Sequence, residues 1–122
     1  MKWTINSERP VYRQLIEQIE GRIISGIYKS GEKLPSVRDL ATEASVNPNT
    51  MQRALANLEQ SGLVYSKRTS GRFITEDQKM IEGIKKEMAL SEIKNFIEKM
   101  NKMGFDRQAI IALIQKEGVT NE

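Results

Sequence analysis

Residues 34–62 read LPSVRDLATEASVNPNTMQRALANLEQSG, and the fold turns on this stretch. Leu34, Val37, Leu40, Ala41 and Ala44 recur at the three-and-four spacing of one buried helix face. Ser36 follows Pro35 and stands where a helix N-cap belongs, with Asp39 in capping-box position. Ser45-Val46-Asn47 breaks the run. A second helix then starts with Asn47 as its cap and Pro48 at the first helical position, where a missing N–H costs nothing. Met51, Ala54, Leu55 and Leu58 form its inner face. Its opening turn turns Asn47, Asn49, Thr50, Gln52 and Arg53 outward. Amides, a hydroxyl and a guanidinium offered from the start of a helix are what reading base edges in a DNA major groove requires.

The residues that follow extend the pattern. Gly62 ends the second helix at the C′ position. Residues 63–67 and 72–75 read as two short strands, with Arg68-Thr69-Ser70-Gly71 as a polar turn between them. Lys67, Arg68 and Arg72 make this hairpin basic. The expected fold is mainly α with a small β-hairpin, a winged helix-turn-helix. The hairpin tip would lie along a phosphate backbone or enter a minor groove.

LPSVRDLA, then VNPNTMQRALANLEQSGLV, then a basic wing ending in SGRF, resemble the DNA-binding domain of GntR-type bacterial transcription regulators. The resemblance covers about residues 3–75, because TINSERPVYRQLIEQIEGRIISGIYKSGEKLPS also fits as an arm, a first helix and a Gly-rich turn. The short tail after residue 76 resembles the YtrA subfamily, whose members carry only a pair of helices there. It implies a sequence-specific regulator, in all a cytoplasmic repressor bound as a homodimer to a palindromic operator in double-stranded DNA, with a neighbouring transporter operon as the suggested target. Ser36, Arg38, Asn47, Asn49, Thr50, Gln52, Arg53, Lys67, Arg68, Ser70, Gly71 and Arg72 become the candidate DNA contacts. One departure matters. Many GntR proteins place an arginine where this chain has Gln52, and the adjacent residue here is Arg53. Base preference therefore does not carry over, and either residue is a candidate reader.

Ahead of these elements, residues 1–9 form an arm in which Trp3 and Ile5 alternate with polar residues, suggesting a short strand anchored by Trp3. A first helix is expected from Pro10 to about Ser25, with Tyr12, Leu15, Ile16, Ile19, Ile23 and Ile27 as its apolar face and Gly26 ending it. From about Asp77 the pattern changes. Ile81, Ile84, Met88, Ile93, Phe96, Ile97 and Met100 form a stripe at mainly helical spacing. Gly104 stops that helix and Asp106 can cap a last one, whose buried side is Ala109, Ile110, Leu113 and Ile114. Two helices are too few to close a core of their own. The stripe, together with Ile110, Leu113 and Ile114, is read as a dimer interface. The expected division is residues 1–75 for DNA binding and 76–122 for dimerisation.

Composition narrows the function further. The 122 residues carry a net charge of +3, with eleven Lys/Arg against seven Asp/Glu in residues 1–75 and eight against nine in residues 76–122. The basic excess sits on the half that would meet phosphates. There is no cysteine and no histidine, which removes thiolate metal sites and the commonest general base. No Gly-rich phosphate loop appears either, so no enzyme and no cofactor are expected. No stretch approaches the ~20 apolar residues of a membrane span, and the first residues lack the apolar run of a signal peptide. A large effector domain has no residues to form it, and no effector ligand is identified. The competing reading is a winged helix used as a protein-interaction scaffold. That module would expose apolar anchors on the second helix, where this chain has Asn49, Gln52 and Arg53.

Overall fold

A computed structural model describes residues 2–118 and contains five helices and two strands. In chain order these are α1 (Val11–Ile24), α2 (Val37–Ala44), α3 (Pro48–Ser61), β1 (Val64–Lys67), β2 (Gly71–Ile74), α4 (Gln78–Lys102) and α5 (Arg107–Gly118). The chain divides into two compact units, Met1–Ile84 and Lys85–Glu122.

In the first unit, α1, α2 and α3 enclose a core of Leu15, Ile19, Leu40, Met51, Leu55 and Leu58. The hairpin adds Leu63, Val64 and Ile74 to it. Each of these large side chains stabilises the fold by about 1.5–3 kcal/mol relative to exposure. Helix α2 is capped as its sequence indicates: Ser36 Oγ accepts from the Asp39 N–H at 3.1 Å. It ends with Ser45 in the left-handed region at φ 56°, where the Val46 N–H reaches back to the Ala41 carbonyl. Helix α3 ends the same way on Gly62, at φ 89°. The difference is chemical, since glycine enters this region freely and serine does not.

The strands pair antiparallel, with Tyr65 opposite Phe73 and Ser66 opposite Arg72. Their connection is three residues, Arg68-Thr69-Ser70, with the Ser70 N–H donated to the Lys67 carbonyl. Residues 31–34 extend this sheet. The Leu34 N–H donates to the Arg72 carbonyl and the Ile74 N–H to the Glu32 carbonyl, around a bridge between Lys33 and Phe73. The sequence reads as a plain connection there, because four residues ending in Lys-Leu carry too little alternation to announce a strand.

The arm departs from expectation. Residues 2–9 enter no sheet; side-chain amides hold them instead. Gln18 exchanges both bonds with the backbone of Thr4. Buried Gln14 accepts from the Asn6 N–H and donates to the Asn6 and Arg9 carbonyls. Trp3 does anchor the arm: the Arg22 guanidinium stacks 3.8 Å from its ring centre. Ile27, expected on the apolar face of α1, is 43% exposed because the chain leaves the helix at Ser25 and Gly26. Ile81 and Ile84 are also relocated. Ile81 is buried in the winged-helix core and Ile84 packs against it. This is why the first unit runs on into α4, past the expected boundary at residue 75.

The second unit contains the remainder of α4 and all of α5. Gly104 turns the chain at φ 98°, and Asp106 caps α5 by accepting from the Ala109 N–H at 2.9 Å. Ile110 is buried, while Ile93, Phe96, Ile111 and Ile114 line an open apolar groove of about 540 Å³.

Candidate nucleic-acid interface

The candidate DNA-contacting side chains of the first unit come from three places: the start of α2, the start of α3, and the hairpin. At α3, the Asn47 carboxamide accepts from the Asn49 N–H at 2.7 Å and so is engaged as a cap. Pro48 contributes the first residue of the helix. Asn49, Gln52 and Arg53 are exposed and Thr50 is half-buried. A helix start with no acidic residue in its first turn favours an approaching phosphate. At α2, the Ser36 hydroxyl is likewise engaged in capping, and Arg38 is exposed in the first turn without an ion pair to Asp39 or Glu43.

Adjacent residues diverge by about 100° on a helix, and the two candidate base readers separate accordingly. Arg53 turns toward α1. Its guanidinium lies 3.7 Å from the ring centre of Tyr12, with Arg13 on the same ring at 5.4 Å. Tyr12, Arg13, Asn49, Thr50 and Arg53 together line a shallow notch between the two helix starts. Gln52 lies outside that notch, exposed and with its amide unengaged among the described residues.

On the hairpin, strand parity sorts the basic residues. Val64, Ser66, Arg72 and Ile74 share the inner face; Tyr65, Lys67 and Phe73 share the outer one. On the outer face Tyr65 and Phe73 stack with centroids 5.8 Å apart, and Lys67 Nζ sits 4.8 Å over the Phe73 ring. On the inner face Arg72 Nε and Ser66 Oγ both donate to Glu59 Oε2 of α3, at 2.5 and 2.6 Å. The Ser66 bond, and after it Arg72, hold the Glu59 carboxyl below the usual glutamate range against an opposing desolvation. Arg68, Thr69 and Ser70 form the exposed tip, with Thr69 at φ 65°.

A second groove, of about 620 Å³, runs between the start of α2 and the hairpin. It brings Ser36, Ser70, Gly71 and Arg72 together and adds Lys33, which the sequence reading passed over. Lys33 packs closely against Gly71: a Cβ built there would meet Lys33 Cε at 3.1 Å. The bridge to Phe73 and its flanking backbone bonds place Lys33 on the wing, and a pairing across forty residues leaves no local sign. Among the described residues no three acidic side chains gather as a metal site, and no helix is long and apolar enough to cross a membrane.

Residues 11–74 match the gntR family of bacterial regulatory proteins. The chain belongs to the GntR family. It is 41% identical over 93 residues to the HTH-type transcriptional repressor YtrA of Bacillus subtilis, a match covering 75% of this chain and 71% of that one. The fold superposes on a GntR family transcriptional regulator from Listeria monocytogenes with a TM-score of 0.84 and 40% identity, covering 92% of this chain and 98% of the other. It also matches the DNA-binding domain of AraR in complex with operator ORE1, at a TM-score of 0.53 and 28% identity, over 62% of this chain and 94% of that one. This GntR protein is thus a DNA-binding transcription regulator with a winged helix-turn-helix, and not an enzyme.

Proposed function

We propose that this protein is a repressor that binds a palindromic operator as a homodimer. The observation that carries the reading is the exposed polar start of α3, where Asn49, Gln52 and Arg53 leave the helix free of apolar anchors. Gln52 is the base-reading residue in this account. Arg53, stacked on Tyr12, serves the phosphate backbone instead, with Arg38, Lys67 and Arg68. Asn47 and Ser36 fix the two helix starts, each accepting one first-turn N–H. YtrA is named a repressor, which supports the direction of regulation; an operon for a neighbouring transporter is the suggested target.

Dimerisation is assigned to residues 85–118. Ile93, Phe96, Ile111, Leu113 and Ile114 remain 40% or more exposed within the second unit, a cluster that monomeric proteins seldom leave to water. Met88, Ile97 and Met100 are half-buried, and Ile110 supports the cluster from beneath. Ile81 and Ile84 drop out of the interface, being used by the winged-helix core.

Selection of bound duplexes from a random pool tests the whole reading. An inverted repeat should be recovered, and sedimentation at micromolar concentration should give a dimer that Ile114→Glu dissociates. Recovery of no preferred sequence would favour the interaction-scaffold reading, and a monomeric wild-type chain would remove the palindrome.

A further inference from the structure

Glu59 stands in the last turn of α3, where a carboxylate meets the negative end of the helix dipole. No feature of α3 itself rewards an acid at that place. Its partners lie on the hairpin: Ser66 and Arg72 are directly opposite one another on the inner face, and one oxygen of Glu59 accepts from both. The contact engages only the Nε of Arg72. A guanidinium carries five N–H donors, so its terminal amino groups are left over, and Arg72 lines the groove that also holds Lys33, Ser36 and Ser70. Arg72 therefore has one edge tied to the recognition helix and another edge left for the groove that it lines with Lys33.

We propose that Glu59 is a positioning residue for DNA binding, fixing the wing against the recognition helix and orienting Arg72 so that its terminal amino groups take a DNA phosphate in the groove between α2 and the hairpin. This rests on the DNA-binding reading above and adds to it a residue that never touches DNA. A carboxylate–guanidinium–phosphate relay has a geometric consequence. The spacing between the base-reading turn of α3 and the phosphate held at the wing is set by a side-chain bond rather than by the exposed three-residue tip. Asp39 also lines the groove. It is the one carboxylate among the lining residues, and Glu59 lies behind Arg72, so Lys33 is the cation of the groove whose charge is not already paired by Glu59.

Two measurements on the full chain test this. In the absence of DNA, amide hydrogen exchange of the wing, from Ser66 to Phe73, should accelerate about tenfold in Glu59→Ala, while the amides of α1 keep their rates. With the selected operator, Glu59→Ala should weaken binding about tenfold and make the log–log salt slope shallower by about 0.9 per subunit, the loss of one phosphate contact. Glu59→Gln, which keeps an acceptor, should recover most of the slope. Arg72→Lys, which keeps the charge but has no Nε donor, should behave as Glu59→Ala does. A purely structural role would lower affinity without moving the slope, and that result overturns the proposal. So do unchanged wing exchange rates in a folded Glu59→Ala protein. If the wild type itself prefers no duplex, the failure lies in the DNA-binding reading and shows before any variant is made.

Discussion

Replacing Gln52 and Arg53 separately by alanine separates two quantities that are usually lost together. Gln52 is exposed and its amide has no bonding partner among the described residues. Its removal should leave thermal stability within about 0.5 kcal/mol of wild type, as for surface changes generally. Its cost appears on DNA. A glutamine that pairs bidentately with adenine N6 and N7 is worth about 1–3 kcal/mol of discrimination, roughly 5- to 150-fold. Arg53 should show the reverse balance. Its stack on Tyr12 at 3.7 Å contributes about 0.5–1 kcal/mol at an exposed site, so Arg53→Ala should destabilise the free protein slightly and weaken all duplexes alike. The assay is competition binding at fixed salt against the selected operator and its single-base variants, paired with thermal unfolding. Gln52→Ala should become indifferent to one symmetric base position. If Arg53→Ala relaxes a base position while Gln52→Ala does not, the stack on Tyr12 is only a resting place and the assignment of the two residues is reversed.

Lys67→Ala should reduce the log–log salt slope by about one phosphate contact per subunit without changing base preference; a changed preference would place Lys67 at a base edge. Ser45→Gly should stabilise the helix-turn-helix by about 0.5–1 kcal/mol, the left-handed strain of a serine less the extra chain entropy of glycine, and a lower melting temperature would contradict this. Stability should be flat at neutral pH and decline on acidification as the Glu59 and Glu17 carboxyls protonate. Both are held below the ordinary value of 4.5, so the unfolded chain takes up protons first and the contribution is lost as pH falls below that value through their folded values. Glu59→Gln should flatten that acid limb in a pH series of denaturant melts, and an unaltered limb would show that the Arg72 and Ser66 bonds do not persist in solution.

Local rules recovered α2, the turn, α3 and the hairpin, because each announces itself within a few residues. Ser36 and Asn47 cap where their neighbours say they should, and Gly62, Gly104 and Asp106 punctuate the helices as read. What escaped depended on distant partners. A helical stripe has the same period whether its own unit or another covers it, so Ile81 and Ile84 were indistinguishable from Ile93 and Ile97 until the core was in view. The basic residues of the wing read as one cluster, yet strand parity sends Lys67 outward and Arg72 inward to Glu59. That parity was legible in principle; the identity of the carboxylate awaiting Arg72 was not. Nor does any local pattern reveal that Tyr12, some forty residues upstream, lies beneath Arg53.

The latch at Gln14 has a consequence for the protein as it ages. Deamidation exchanges one nitrogen for one oxygen and scarcely alters shape. At this buried position the exchange would leave the Asn6 and Arg9 carbonyls, both 2.8 Å from the lost donor, facing an acid that can supply at most one proton in place of two N–H bonds. A chemical lesion of a single dalton would thus loosen the arm that carries Trp3, and with it the cover over Arg22.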